Sequence, residues 1–144
     1  ELAGDLTVYV FVSARQVPSD APAGNENWFV MVNAPPDHGQ DWNALASRAR
    51  QQVIGRLNEA LGKDIEPLIL HERVTLPPDI ERQTSSWKGS LYGPSSNGML
   101  SAFRRHPNQG KYPNLLHCGG SVHPGGGIPL CLLSGRIAAD MICR

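Results

Sequence analysis

The chain has 144 residues and a mass of 15.6 kDa, a length that fits one domain of ordinary size or pieces of one. Its residues are 40% hydrophobic and 18% charged, which excludes a disordered acidic or basic chain. Thirteen basic residues balance thirteen acidic ones, so no net field favours nucleic acid or anionic lipid.

In chain order, Leu6, Val8, Val10 and Val12 alternate with Thr7, Tyr9 and Phe11, a period-two pattern that predicts a strand. The loop composition of residues 18–25 separates it from a second predicted strand, Trp28–Asn33, and the two can pair as a hairpin with a long connection. Asp41 to Leu61 is the clearest helix. Trp42, Leu45, Ala49, Val53, Leu57 and Leu61 recur every three or four residues, as expected for a helix packed on a sheet. Asp41 is placed to cap its start and Gly62 to take a left-handed position after its end. Ile65–Val74 reads as a third strand, with Pro67 near its start. Leu76-Pro77-Pro78-Asp79 has the chemistry of a short helix start. Ser85 to Pro107 reads as loop with brief elements, and Tyr112-Pro113-Asn114 as a turn into a short strand, Leu115–Cys118.

Fifteen glycines and twelve prolines make up nearly a fifth of the chain, against a usual ~12%. Their densest stretch is Gly119-Gly120-Ser121-Val122-His123-Pro124-Gly125-Gly126-Gly127-Ile128-Pro129. An apolar helix is predicted from Leu130 to Ile142, and such a helix should be buried on most sides. The order is strand, glycine-rich turn, helix. Glycines leave no side chain between backbone and ligand, and a helix start offers unbonded N–H groups with partial positive charge. The spacing is neither GxGxxG nor a phosphate-binding loop ending in Gly-Lys-Ser/Thr. The residues alone leave two readings: a ligand approaches here, or the turn is purely structural.

The string from Asn114 through His123-Pro124-Gly125-Gly126-Gly127-Ile128-Pro129 to Asp140 resembles the C-terminal flavin motif of the bacterial phytoene desaturase family. Asp5–Val12, Asn27-Trp28-Phe29-Val30, Asp41-Trp42, Tyr92–Gly98 and Phe103–Pro107 are similar to that family's closing third. The resemblance implies a C-terminal fragment of an FAD-dependent carotenoid desaturase or related carotenoid oxidoreductase. The expected fold is α/β (α+β): a mixed or antiparallel sheet with one long amphipathic helix, plus the last strand–turn–helix of a Rossmann-like FAD-binding domain. Residues 1–107 would belong to the substrate-binding part and 108–144 to the FAD-binding part, whose ADP-binding half would lie elsewhere. The absence of an initial Met fits a piece of a longer protein.

The same resemblance implies that Gly119, Gly120 and Ser121 lie along the ribityl–pyrophosphate stretch of FAD. Gly125, Gly126, Gly127, Ile128 and Pro129 would bring backbone amides to the pyrimidine edge of the flavin ring, with His123 and Pro124 orienting the turn or lining the cofactor. A hydrophobic polyene such as a carotenoid is the implied substrate, with Tyr92 and Met99 as candidate cavity residues. It names no acid–base residue. Three alternatives stay open: a non-enzymatic small domain, a flavin amine oxidase relative acting on another substrate, and isomerisation or oxygenation in place of desaturation.

Cys118, Cys131 and Cys143 are too few and too clustered for a disulfide framework, which favours a reducing, cytoplasmic setting. His117, Cys118, His123 and Cys131 lack the paired spacing of a zinc site, so no metal is expected and Cys118 and Cys131 read as small core residues. Arg104-Arg105-His106 with Lys111 reads most simply as a solvated basic loop, with phosphate or peripheral membrane contact as the sharper option.

Overall fold

A computed structural model describes residue 2 and residues 4–93 and 105–143. The chain divides into two compact units, Glu1–Gly89 and Ser90–Arg144. The 107/108 division expected from sequence concerns the larger domain that each piece would join, and it falls inside the second unit.

In the first unit, β1 (Val8–Phe11) and β2 (Phe29–Val32) form an antiparallel pair, with Val8 opposite Val32 and Phe11 opposite Phe29. The long connection between them is fastened by Asn27. Its Oδ1 accepts from the Ala14 N–H at 3.0 Å, and its Nδ2 donates to Ser13 Oγ at 2.6 Å. The Trp28 indole donates to Glu26 at 2.8 Å, which, with Arg15 beside it, holds that carboxyl below its usual range. Leu6, just before β1, and Ile65 are buried, at 2% and 6% exposure.

Helix α1 (Trp42–Leu61) begins and ends where local chemistry places it. The Asp41 carboxylate accepts from the Ala44 N–H at 3.1 Å, and Gly62 adopts φ 66°. Its packing departs from expectation, since no α1 residue is fully buried. Polar ties to the following segment hold it instead. Asn58 bonds the Ile65 N–H and the Asp64 carboxylate, and Arg50 bridges Glu66 at 2.7 Å and Glu72 at 2.9 Å. Arg56 pairs with Asp5.

The third strand expected over Ile65–Val74 is not formed among the described residues. Glu66–Leu68 is a single 3₁₀ turn entered from a helical Ile65, the chain leaves it extended at Ile69, and residues 70–74 pair with no strand. Extended backbone becomes a strand only when another edge meets its N–H and C=O groups. Here the Arg50 side chain holds the segment, and Leu70 stays 81% exposed.

Helix α2 (Pro77–Thr84) starts at Pro77-Pro78 as predicted, and the Asp79 carboxylate accepts from the Leu76 N–H at 3.0 Å. The chain then returns through a 3₁₀ turn, Trp87–Gly89, that seats Gly89 on the helix start. A Cβ on Gly89 would lie 2.1 Å from the Pro77 carbonyl oxygen. At the same corner Asp37 Oδ1 accepts from the Trp42 indole and from the Gly39 N–H, both at 2.9 Å, which keeps its carboxyl below the usual range.

The second unit contains α3 (Ile128–Ile142), and its only buried helix residues are Ser134 and Ala138. The burial expected for this apolar helix is not supplied by the described residues: Leu132 is 71% exposed and Ile142 74%. Nor is Leu115–Cys118 a strand. It makes one isolated antiparallel bridge, Gln109 to Leu116. No helix of the described residues is long and apolar enough to cross a membrane.

Candidate functional site

The glycine-rich turn is built on a short paired stem. His117 N–H donates to the Asn108 carbonyl at 2.7 Å and Gly110 N–H to the Leu115 carbonyl at 3.1 Å, so the chain doubles back through Tyr112–Asn114. The His106 and His117 rings meet edge-on, centroids 4.9 Å apart. His123 N–H then donates to the His106 carbonyl at 2.8 Å, which brings the far end of the turn beside the stem.

One hydroxyl ties these parts together. Ser134, fully buried on α3, donates to the His123 carbonyl at 2.8 Å. It accepts from Asn108 Nδ2 at 2.9 Å and from the Gly119 N–H at 3.1 Å. Asn108, 3% exposed, also donates to the His117 carbonyl at 3.1 Å. A hydroxyl has one hydrogen and two lone pairs, and Ser134 uses all three. It therefore fixes the entry to the turn, its exit and the stem against one point of the helix.

From this frame the turn runs through unusual backbone. Gly119, Gly125 and Gly127 have φ of 115°, 143° and 98°, a region that side chains strain to enter. Gly127 is the residue before α3, with no side-chain cap, and Cys131 N–H returns to its carbonyl at 2.9 Å. Among the described residues, no acceptor meets the N–H groups of Gly126, Gly127, Ile128 or Leu130. These donors point to anion or electron-rich chemistry. A Cβ at Gly119 or Gly127 would meet nothing within 4 Å, so both present bare backbone on an open side.

The remaining predicted residues divide by role. Gly120 is packed inside the turn: a Cβ there would lie 3.3 Å from Cys131 Sγ and 3.5 Å from Gly126 Cα. The Ser121 carbonyl backs onto Gly93, where a Cβ would approach it to 2.6 Å. His123 spends both backbone polar groups on the frame, its N–H on the His106 carbonyl and its carbonyl on the Ser134 hydroxyl, and its bond to Pro124 is cis. Pro129 sits in the first turn of α3, and Ile128 is 78% exposed. Tyr92, expected in a substrate cavity, places its ring against the turn. A Cβ on Gly126 would lie 2.0 Å from Tyr92 Cδ1. Met99 lies outside the described residues. Cys118 is exposed rather than core, and Cys131 is half-buried beneath Gly120.

Sequence reasoning missed the contributions of Asn108, Ser134 and Arg105. A lone hydroxyl in a mostly apolar helix is a usable signal, because a buried hydroxyl needs partners. Arg105 is not the solvated cation expected of the basic loop. Its Nη1 donates to the carbonyls of Tyr92 at 2.8 Å and Gly120 at 2.9 Å.

Residues 3–143 match the profile of the family described as flavin containing amine oxidoreductase. Among curated proteins, the chain is 52% identical over 139 residues to a 1-hydroxycarotenoid 3,4-desaturase of Flavobacterium sp. (strain P99-3), covering 96% of this chain and 28% of that protein. It is 36% identical over 143 residues to a 4,4'-diaponeurosporene oxygenase of Staphylococcus haemolyticus, covering 98% and 28%. It is 29% identical over 152 residues to a phytoene desaturase of Phycomyces blakesleeanus, covering 99% and 26%. The chain thus spans little more than a quarter of the length of these relatives.

Proposed function

The chain belongs to the flavin containing amine oxidoreductases, and from that premise we propose that it is the C-terminal part of an FAD-dependent desaturase of carotenoids. The observation that carries this reading is the turn before α3: amides of Gly126, Gly127 and Ile128 that no acceptor meets among the described residues, beside bare glycine backbone at Gly119 and Gly127. Such a surface fits the electron-rich edge of a flavin, which a side chain at either glycine would hold away. In the whole enzyme, α3 and its turn would complete a Rossmann-like FAD-binding domain, and the first unit would join the substrate-binding part.

When bound, the flavin would supply the redox chemistry, accepting a hydride from one carbon of the polyene while the neighbouring carbon gives up a proton to solvent and the new double bond forms. The chain's own residues prepare the place for it. The amides of Gly126, Gly127 and Ile128 would stabilise negative charge on the flavin's pyrimidine edge, as preorganised donors do at other developing anions. Ser134 and Asn108 keep those amides in position without touching the cofactor. Gly119 N–H and the Gly120 carbonyl already have protein partners, so the cofactor approaches this end over the open face of Gly119. Desaturation is favoured over oxygenation because the 52% identical relative is a desaturase. A lipid-soluble substrate of this kind favours a peripheral encounter at a membrane surface.

The test uses the full-length protein. It is expected to purify with flavin absorbance, to release FAD on denaturation, and to shift the absorption of an acyclic carotenoid to longer wavelength. Protein that stays colourless and takes up no FAD would make the turn structural. Gly126→Val should lose flavin both alone and combined with Tyr92→Ala. Full flavin recovery in the double variant would assign Gly126 to seating Tyr92 rather than the cofactor.

A further inference from the structure

Arg105 differs from the other paired arginines of the described residues. Arg15, Arg50, Arg56, Arg82 and Arg136 all pair with carboxylates. Among the described residues Arg105 meets none, and its guanidinium is turned onto main-chain carbonyls, those of Tyr92 and Gly120. A Cβ on the buried Gly125 would lie 3.5 Å from Arg105 Cζ, so the charge rests directly against the turn. Two consequences follow. The guanidinium links two carbonyls and holds Tyr92, itself at φ 66°, in place over Gly126. It also adds a full positive charge beside amides that carry only partial ones.

We propose that Arg105 is a charge-bearing positioning residue that raises the reduction potential of the flavin at the glycine turn. The inference rests on the flavin reading above. Two-electron reduction leaves negative charge on the pyrimidine edge that the oxidised ring lacks. A cation fixed beside Gly125 therefore stabilises the reduced form more than the oxidised one. A guanidinium suits the task because it stays charged and can fasten more than one carbonyl at once.

The experiment compares native full-length holoenzyme with Arg105→Gln, which keeps amide donors but no charge, and Arg105→Lys, which keeps charge but not the fork. The readout is the flavin midpoint potential from an anaerobic titration against reference dyes. Arg105→Gln should lower the ratio of reduced-to-oxidised flavin affinity about tenfold, which for a two-electron couple is a shift of about 30 mV to more negative potential. Arg105→Lys should stay within about threefold of native, or about 15 mV. An unchanged potential in Arg105→Gln, or equal shifts in both variants, would overturn the proposal. If Arg105→Gln retains no flavin, Arg105→Lys decides alone: a native-like potential supports the proposal and a tenfold fall overturns it. A native protein that binds no flavin would instead remove the flavin reading itself, before any Arg105 variant is made.

Discussion

Replacing Ser134 with alanine tests the frame on which the candidate site hangs. The substitution removes one hydroxyl from a fully buried position and leaves helix propensity unharmed, since alanine is the better helix former. Three groups lose a partner: the His123 carbonyl, the Gly119 N–H and one hydrogen of Asn108 Nδ2. The last can turn partly toward the Ser134 carbonyl, already 3.4 Å away. The other two are left facing a space the size of an oxygen atom. At about 1–3 kcal/mol for each buried group left unsatisfied, and with some relief from water at the half-buried Gly119, the loss should be roughly 2–4 kcal/mol. Equilibrium urea denaturation of the native and Ser134→Ala proteins measures it, and the flavin content of the full-length variant should fall with it. A loss below about 0.5 kcal/mol with full flavin content, the range of an ordinary surface substitution, would refute the idea that Ser134 holds the turn.

Two further outcomes are expected in the first unit. Gly89→Ala should cost roughly 2–4 kcal/mol, because φ 66° and backbone 2.1 Å from the new Cβ act together, whereas Gly62→Ala, at the same φ with open space, should cost only about 1 kcal/mol. Equal denaturation midpoints for the two variants would show that the Pro77 contact is relieved without cost. The depressed Asp37 carboxyl makes stability depend on acid pH: its contribution is complete above the ordinary value of 3.8 and is lost as pH falls through the lower folded value. Stability measured from pH 6 to pH 3 should therefore fall more steeply in the native protein than in Asp37→Asn, and parallel curves would contradict the assignment.

Where a feature depends on neighbours along the chain, the sequence by itself determined it. The Asp41 carboxylate caps α1 because it needs only the N–H three residues on, and Gly62 ends the helix because only glycine enters the left-handed region easily. Pro77-Pro78 starts α2, alternation placed β1, a short β-forming run placed β2, and the apolar run from Leu130 to Ile142 marked all of α3 but its first two residues. The family string in the glycine turn was legible for the same reason, being contiguous. Tertiary structure alone decided the rest. Whether residues 65–74 became a strand depended on a partner edge, and Arg50 met them instead. Asn108 and Ser134 stand 26 residues apart, and Arg105 reaches back 13 residues to Tyr92 and forward 15 to Gly120. No periodicity encodes such pairs, because hydrogen bonding between distant residues is set by where the folded backbone brings them. The glycines said where a ligand could come close. The buried hydroxyl, which no pattern singled out, and the guanidinium, which read as a solvated cation, turned out to hold that place in shape.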